Sequence, residues 1–249
     1  MPKISIIMPC HNGDKYIREA IESVIAQTFT DWELLVINDN SSDTSVSIIS
    51  EFTERDSRIK LLNLAESNGM PSAPRNMGIT EAQGQYIAFL DCDDKWLPSK
   101  LENQLKLFED NNCVVAFSYY KKMDENGNIH DSVIYSPANV KYNKLLNGNC
   151  IGNLTGMYDS AKVGKIYQKS VHHEDYLMWL EILKSGLVAK NTNTVEAVYR
   201  ESKKSTSGNK LAAFVWTWQI YRSELKLNIF SAFFHFITYA FKAVIKFIK

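Results

Sequence analysis

The sequence has no excess of charge of either sign and no closely spaced cysteines. Its 28 basic and 28 acidic residues give a formal net charge of zero, so no broad basic field indicates a nucleic-acid-binding protein. The four cysteines lie far apart and form no CxxC pair, which argues against a zinc knuckle or a disulfide framework. We therefore expect no nucleic-acid partner and a reducing, cytoplasmic environment.

The sequence also lacks an internal repeat and, at its N-terminus, an apolar run long enough for the core of a signal peptide. The first apolar run, KISIIM at residues 3–8, instead predicts a strand. Aromatic residues at 12% and hydrophobic residues at 45% imply a substantial core. With 249 residues, the chain is long enough for one large α/β domain, or for one domain with an appendage.

Strand and helix patterns alternate through the first half of the chain. Apolar runs at residues 32–37, 59–64 and 86–90 predict further strands, and amphipathic helical patterns separate them. This order implies right-handed crossovers and a parallel sheet. The alternation loosens later, where Asn126–Gly127 predicts the turn of a hairpin and residues 195–199 predict an edge strand.

Acidic residues occupy three predicted loop positions. Asp39 follows the second strand, Asp91 and Asp93 follow the fourth, and Asp175 lies at the entry of a late helix. If strands one, two and four are neighbours, the first two groups meet in one crevice at the carboxyl edge of the sheet. Asp91 and Asp93 then point the same way and can share a divalent cation that carries a phosphate. From this stretch alone, a helix cap formed by Asp93 or Asp94 remains an open alternative.

Four motifs in register make the chain resemble the family-2 inverting glycosyltransferases of the A-type fold. They are IIMPCHNGDKYIREAIESVIAQTFTDWELLVINDNSSD, PRNMGI, GQYIAFLDCDDKWLPSKL and HEDYLMWLEILKSG. The resemblance covers about residues 3–210 and extends to the bacterial enzymes that build O-antigen, teichuronic acid and other surface polysaccharides. It implies an α/β fold with a single Rossmann-like nucleotide-diphospho-sugar transferase domain, in which helices flank a mostly parallel sheet.

The resemblance assigns donor-binding roles to three positions. Pro9 and its neighbours are expected to line the nucleotide pocket, Asp39 is similar to the aspartate that hydrogen-bonds uracil, and Arg75 matches an arginine near the base and phosphates. Residues 38–41 read Asn-Asp-Asn-Ser where the family commonly has DDGS, but the second aspartate is kept. Asn40 can still adopt a left-handed turn conformation.

The resemblance also assigns the metal and acceptor sides of the site. Asp91 and Asp93 look like the DxD pair, with Asp93 expected to bind Mn²⁺ or Mg²⁺ directly and Asp91 to contact ribose or metal. Asp175 matches the general base, while Glu174 beside it is expected to contact substrate or to serve the helix terminus. A late loop is similar to a flexible lid, although a solvated polar loop explains it equally well; its residues are Arg200, Ser205, Ser207 and Lys210.

The implied reaction is the transfer of a hexose, expected to be glucose or galactose, from a UDP-sugar to a lipid-linked saccharide. The expected acceptor is GlcNAc-diphospho-undecaprenol. One base suffices for a single inverting displacement, because no covalent intermediate needs a second carboxylate. There are two alternatives. One is a sugar-nucleotide-binding module without catalysis, and the presence of all the expected aspartates argues against it. The other is a sugar nucleotidyltransferase, which would need a glycine-rich basic loop where this chain has PCHNGDKY.

The C-terminal stretch 228–249 predicts a helix with a wide apolar face. Its polar residues recur every three or four positions; they are Ser231, His235, Thr238, Lys242, Lys246 and Lys249. We expect this helix to lie in a membrane interface with its lysines toward anionic headgroups. The alternative is packing against the catalytic domain or a partner subunit.

The expected organisation has two parts. Residues 1–210 form the catalytic domain, with a nucleotide-binding half at about 1–112 and an acceptor-binding half at about 113–210, and residues 211–249 form a C-terminal helical region. The expected location is the cytoplasmic face of the bacterial inner membrane, as a peripheral protein. The sequence leaves open whether the chain forms a homodimer.

Overall fold

The structure is a computed structural model that describes residues 1–66, 69–201 and 210–248, with backbone alone at 210–211 and 242–248. The strands are β1 (Ile4–Cys10), β2 (Trp32–Asn38), β3 (Ile59–Asn63), β4 (Tyr86–Phe89), β5 (Lys95–Trp96), β6 (Cys113–Met123), β7 (Ile129–Ile134), β8 (Asn139–Val140), β9 (Met157–Asp159) and β10 (Val188–Arg200). The helices are α1 (Ile17–Ile25), α2 (Ser45–Arg55), α3 (Ser72–Glu81), α4 (Lys100–Leu107), α5 (Tyr142–Leu145), α6 (Ser160–Val163), α7 (Glu174–Leu183), α8 (Lys210–Gln219) and α9 (Ile229–Ile248). A 3₁₀ turn spans Asn153–Thr155, and a π-helical turn spans Ile220–Glu224.

The strands form one mixed sheet in the order β3-β2-β1-β4-β9-β6-β10-β5. The first four of these strands are parallel, whereas β9 runs antiparallel between β4 and β6. Strands β1, β2 and β4 are neighbours, which meets the condition for the acidic loops after β2 and β4 to lie at one edge. The α/β fold with helices flanking a central sheet is confirmed.

The parallel part of the sheet is apolar on both faces. Every residue of β2 is buried, and β1 is buried except at one position. Because side chains alternate along a strand, Ile7 and Ile37 face one helical layer and Ile6 and Val36 face the other. A strand covered on both faces needs a continuous apolar run, which explains the sequence pattern.

The predicted strand at residues 195–199 is confirmed as part of a longer strand, but its expected place at the edge of the sheet is wrong. The structure has a 13-residue strand, β10, which pairs with β6 on one side and with β5 and β8 on the other. Ala197 and Val198 are buried in consequence. The strand ends at Arg200, which therefore lies in the interior beside the loop after β4.

Gly84 allows the chain to pass against β1, and a substitution there is expected to destabilise the fold. A Cβ atom at this position would lie 2.5 Å from the backbone nitrogen of Ser5, and a strand backbone cannot move aside. We expect Gly84→Ala to cost about 1–3 kcal/mol of unfolding free energy and to lower the Tm by roughly 5 °C. The exposed neighbour Gln83→Ala provides the control in thermal unfolding, and equal Tm values for the two variants would contradict the clash.

The predicted C-terminal helix is confirmed, and it presents two apolar faces. One face packs on the domain, where Ala232 is buried and Phe236 contacts Phe214 and Trp218. His235, from the predicted polar stripe, also faces the domain, with its Nδ1 2.8 Å from Oδ1 of Asn147. The other face is exposed over Phe230, Phe233, Phe234, Ile237 and Phe241. The lysine side chains at 242, 246 and 249 lie outside the described residues.

Across the ranges that the structure describes, no helix has both the length and the apolar character needed to cross a membrane.

Candidate functional site

The predicted acidic loops meet at one edge of the sheet. Asp39 directly follows β2, Asp91 and Asp93 follow β4, and β1 lies between these strands. Because the three strands are parallel, their carboxyl ends lie at the same edge of the sheet. β2 and β4, on either side of β1, are about 10 Å apart there. Pro9, near the end of β1, lies between the two groups. The structure therefore brings these four predicted residues to one edge of the sheet.

The Asp39 loop presents a buried acceptor without a partner. The backbone nitrogen of Asp39 donates to the carbonyl oxygen of Cys10 at 2.8 Å, and Nδ1 of His11 lies 2.6 Å from the Asp39 carbonyl oxygen. Asn40 adopts a left-handed conformation with φ 53°, as expected. Within the described residues, no group hydrogen-bonds to the buried Oδ1 of Asp39. A ligand N–H at this position would satisfy an acceptor that is costly to leave unpaired.

Arg75 joins the loop after β4 to the start of α7. It is buried near the start of α3, and its Nη2 donates to both carboxylate oxygens of Asp91 at 2.8 and 3.1 Å. Its Nη1 donates to Glu174 at 2.7 Å. Burial alone lowers the pKa of Arg75, but the charges of Asp91 and Glu174 raise that pKa above its usual value. One charged guanidinium thus holds the loop after β4 against the start of α7.

The acidic loop after β4 concentrates negative charge. Burial raises the pKa of Asp93 to about 6, and the charge of Asp91 adds to this effect. Burial likewise raises the pKa of Asp94, whose Oδ1 accepts a hydrogen bond from the backbone nitrogen of Arg200 at 2.7 Å. Asp94 therefore fixes the end of β10 and does not cap α4, which begins six residues later.

Asp175 lies in the first turn of α7, one residue after the glutamate that binds Arg75. Burial raises the pKa of Asp175 to about 6, with a further contribution from the charge of Glu174. Its Oδ2 accepts a hydrogen bond from Nδ2 of Asn149 at 3.3 Å. A carboxyl with this pKa is largely ionised at neutral pH yet basic enough to take a proton, as a general base must be.

Arg200 is buried against the loop after β4 and is not part of a solvated lid. It is buried, its Nε donates to the carbonyl oxygen of Asp93 at 2.8 Å, and its guanidinium lies 4.2 Å from the centre of the Tyr16 ring. It also pairs with Glu19. Of the other predicted lid residues, Ser205 and Ser207 lie outside the described residues, and Lys210 is described by its backbone alone.

Two further contacts of the site were not predicted from the sequence. Oε1 of Gln168 lies 3.3 Å from Nη1 of Arg75, and Nδ2 of Asn149 donates to Oδ2 of Asp175. Both residues come from irregular segments, and no local pattern distinguishes their amides from those of other loop residues. Only the tertiary contact identifies them.

The carboxylates present suit a divalent cation that shares its ligands with a substrate. In the described parts of the chain, no group of three or more His, Cys, Asp or Glu side chains is arranged to hold a metal. Asp91 and Asp93 offer oxygen ligands, however. Burial first and the charge of Asp91 second raise the pKa of Asp93, and a bound cation would offset both effects. Mg²⁺ is commonly held by one or two carboxylates together with substrate phosphates. The donor set therefore fits a metal–diphosphate complex.

The chain is similar to known proteins in sequence and in fold. The family model described as glycosyl transferase family 2 matches residues 5–165. Among relatives, the putative teichuronic acid biosynthesis glycosyltransferase TuaG of Bacillus subtilis is 36% identical over 246 residues, covering 98% of this chain and 97% of the relative. The Escherichia coli UDP-Glc:alpha-D-GlcNAc-diphosphoundecaprenol beta-1,3-glucosyltransferase WfgD is 38% identical over 218 residues, covering 87% and 84%.

Solved structures share the fold at lower identity. Staphylococcus aureus TarS 1-349 in complex with UDP-GlcNAc has a TM-score of 0.71 at 20% identity, and the match covers 88% of this chain and 64% of that chain. The mannosyltransferase PcManGT from Pyrobaculum calidifontis, in complex with GDP-Man and Mn²⁺, has a TM-score of 0.70 at 16% identity, covering 90% and 64%. The chain thus spans under two thirds of the length of these two structures.

Proposed function

We propose that this chain, which belongs to glycosyl transferase family 2 and is a glycosyltransferase, transfers a hexose from a UDP-sugar to a lipid-linked saccharide with inversion. The observation that carries the proposal is the single guanidinium of Arg75 that binds Asp91 and Glu174. In support of the proposal, this contact ties the loop that carries Asp91, the proposed donor-side acid, to the first turn of α7, where Asp175, the proposed base, follows Glu174. Glucose is the proposed hexose and GlcNAc-diphospho-undecaprenol the proposed acceptor, in line with the name of the relative WfgD.

The donor is proposed to bind across the carboxyl ends of β2, β1 and β4. The unpartnered Oδ1 of Asp39 suits the N–H of a uracil ring, and Pro9 lies beside the proposed uridine. Asp91 and Asp93 are proposed to hold the diphosphate through Mn²⁺ or Mg²⁺. Such a cation, when bound, stabilises the charge that develops on the leaving UDP.

The acceptor hydroxyl is proposed to bind beside Asp175. Its proton passes to the carboxylate of Asp175 as the oxygen attacks the anomeric carbon, while UDP leaves from the opposite face. Because this is a single displacement, the configuration inverts and no second nucleophilic carboxylate is needed. The proposed acceptor-binding half, residues 113–210, supplies both the base and Asn149, whereas residues 1–112 supply the donor contacts.

The proposal is tested by incubating the purified chain and Mn²⁺ with a panel of UDP-sugars and a synthetic lipid-linked GlcNAc. We expect a disaccharide product of inverted configuration and one equivalent of free UDP. Release of pyrophosphate would indicate nucleotidyl transfer, and binding of UDP-sugar without any product would indicate a binding module.

The C-terminal helix is proposed to hold the enzyme at the membrane surface, where the acceptor lipid is. Its exposed stripe is wholly apolar, with Phe230 84% and Phe241 65% exposed, and such a face is stabilised by burial in the headgroup region. The proposed location is the cytoplasmic face of the bacterial inner membrane, as a peripheral protein. A homodimer that buries the same stripe is the competing arrangement.

Removing the exposed aromatic stripe is expected to weaken membrane binding. The triple variant Phe230→Ser, Phe234→Ser, Phe241→Ser loses three apolar side chains, each worth about 1.5–3 kcal/mol when fully buried, so partitioning onto anionic vesicles should fall by at least about 100-fold. Tyr135→Ser, which removes an aromatic residue that is 73% exposed elsewhere, serves as the control in vesicle flotation. Unchanged flotation of the triple variant, with a dimer converted to a monomer, would place the stripe in a homodimer.

A further inference from the structure

A small cavity lies beside the start of α7, between the segment before Glu174 and the C-terminal helical region. Its volume is about 160 Å³, below the roughly 300–1,000 Å³ of typical ligand pockets, so its size suits a single sugar ring. The cavity wall includes Val171 and Ile220, and its remaining lining residues carry aromatic or hydrogen-bonding groups: His172, Trp216, Gln219, Ser223 and Glu224. This mixture of one large aromatic surface with amide, hydroxyl and carboxylate groups is what a pyranose requires.

Trp216 is held in place by the two histidines before the predicted base. Its ring stacks on His172 with a centroid distance of 4.0 Å and an interplanar angle of 19°, and it meets His173 edge-on at 5.4 Å. His173 has a left-handed backbone conformation, with φ 59° and ψ 41°, immediately before α7. The indole from α8 is therefore tied directly to the turn that positions Glu174 and Asp175.

The cavity is close enough to the base to hold part of the acceptor. His172 precedes Asp175 by three residues, so the two Cα atoms are at most about 11 Å apart even in an extended chain. The opposite wall is formed by the π-helical turn Ile220–Glu224, a distortion that is frequent at functional sites. Glu224 is fixed there by Lys169, whose Nζ donates to its Oε2 at 2.8 Å.

We infer that this cavity binds one pyranose ring of the acceptor saccharide, with Trp216 as the stacking surface and Gln219, Ser223 and Glu224 as hydroxyl partners. The inference rests on the proposed function, which supplies a saccharide as acceptor. It assigns α8 and the π-helical turn to acceptor recognition, so the C-terminal region contributes to the site as well as to membrane contact.

Two variants test the cavity in different ways. Trp216→Ala removes the stacking surface, and Ser223→Leu fills the space from an exposed position without removing a core contact. We expect each to raise the KM for the lipid-linked acceptor by about tenfold. In Ser223→Leu, which keeps the contacts of Trp216 with His172 and His173, the KM for the UDP-sugar should stay unchanged. Trp216→Phe, which keeps an aromatic face, should recover part of the loss. Val215→Ala, at a residue 56% exposed on the same helix, is the matched control and should leave both KM values unchanged.

Binding without turnover separates this inference from the proposed function. Calorimetric titration with octyl glycosides of GlcNAc, glucose and galactose should give saturable binding of at least one of them to the wild-type chain, and its loss in Ser223→Leu. Equal acceptor KM values in wild type, Trp216→Ala and Ser223→Leu, or no binding of any glycoside by the wild type, would overturn the inference. A wild-type chain that binds a glycoside at this cavity yet transfers no sugar from any UDP-sugar would overturn the proposed reaction while leaving the saccharide site intact.

Discussion

Asp175→Asn is expected to lower kcat by about 10²–10⁴-fold while leaving the binding of UDP-sugar unchanged. General-base catalysis contributes rate factors of this size, and an amide cannot accept the proton of the attacking hydroxyl. The substitution keeps the shape of the side chain and its contact with Asn149, so the geometry of α7 should persist. The measurement is the steady-state rate of UDP release with the lipid-linked acceptor, together with calorimetric binding of UDP-sugar.

The pH dependence provides a second signature of the same residue. Because the pKa of Asp175 is raised to about 6, the base is ionised at neutral pH and becomes protonated as the pH falls below 6. The pKa of Asp93 is also raised to about 6, so the profile is measured at saturating Mn²⁺, which keeps that proposed ligand ionised. Under this condition the wild-type kcat should decline about tenfold per pH unit on the acid side of 6, and this limb should be absent in the residual activity of Asp175→Asn.

Stability should change in the opposite direction from activity. A carboxyl whose folded-state pKa is raised binds more protons in the folded state than in the unfolded state between its ordinary pKa and about 6. Stability therefore falls as the pH rises through this window, and the full penalty applies above it. Asp175→Asn removes the penalty, so its Tm at pH 7 should equal or exceed that of the wild type. Loss of rate in a variant of equal or greater stability cannot be attributed to unfolding.

Asp131→Asn is the matched control, because this aspartate is exposed on β7 and should leave rate and Tm unchanged. Full transfer activity in Asp175→Asn would remove Asp175 as the base. If Glu174→Gln instead abolished turnover with its structure intact, the adjacent glutamate would take that role.

The sequence predicted the donor edge of the sheet better than the acceptor side, for a physical reason. Strands buried on both faces must be continuously apolar, and the residue that follows each one must lie at the sheet edge, so Asp39, Asp91 and Asp93 could be placed from local patterns. The link between Arg75 and Glu174 spans 99 positions, and no local pattern encodes it. Family resemblance selected Arg75, but its bridge between two carboxylates became visible only in the fold.

The C-terminal helix illustrates the same limit. Its residues are apolar on almost every side, so the helical period predicts a helix but not which face meets the domain. The structure turns His235 inward to Asn147 and leaves a stripe of phenylalanines outward. Similarly, the polar late residues suggested a mobile loop at Arg200, whereas pairing of β10 with β6 carries this arginine into the acidic loop.

Arg75→Met is expected to destabilise the protein by about 3–5 kcal/mol, the loss that follows when one partner of a buried ion pair is removed. Methionine fills much of the same volume, but it leaves Glu174, whose side chain is 13% exposed, and Asp91, which is 33% exposed, without their cation. Because solvent reaches Asp91, we expect the lower end of this range, equivalent to a fall in Tm of roughly 10 °C. Arg75→Lys should recover only part of it, since an ammonium group lacks the planar fork that reaches both carboxylates.

The decisive comparison is between the single variant and one in which all three charges are neutral. If the penalty comes from unpaired carboxylates, Arg75→Met combined with Asp91→Asn and Glu174→Gln should recover most of the lost stability, because neutral replacement of a whole buried ion cluster is often nearly neutral in free energy. Arg18→Met is the control. Both side chains of the pair Arg18–Glu51 are 44% exposed, so solvent screens the pair and its loss should change stability little. Chemical denaturation measures all of these variants on one scale.

A loss of stability in Arg75→Met no larger than in Arg18→Met would show that the bridge contributes nothing to the fold. Recovery of stability in the triple variant would show that the unpaired carboxylates cause the loss in Arg75→Met. Transfer should stay lost even then, because the triple variant also lacks the Asp91 carboxylate that is proposed to hold the diphosphate, so the bridge contributes to stability and to the reaction through different atoms of the same group.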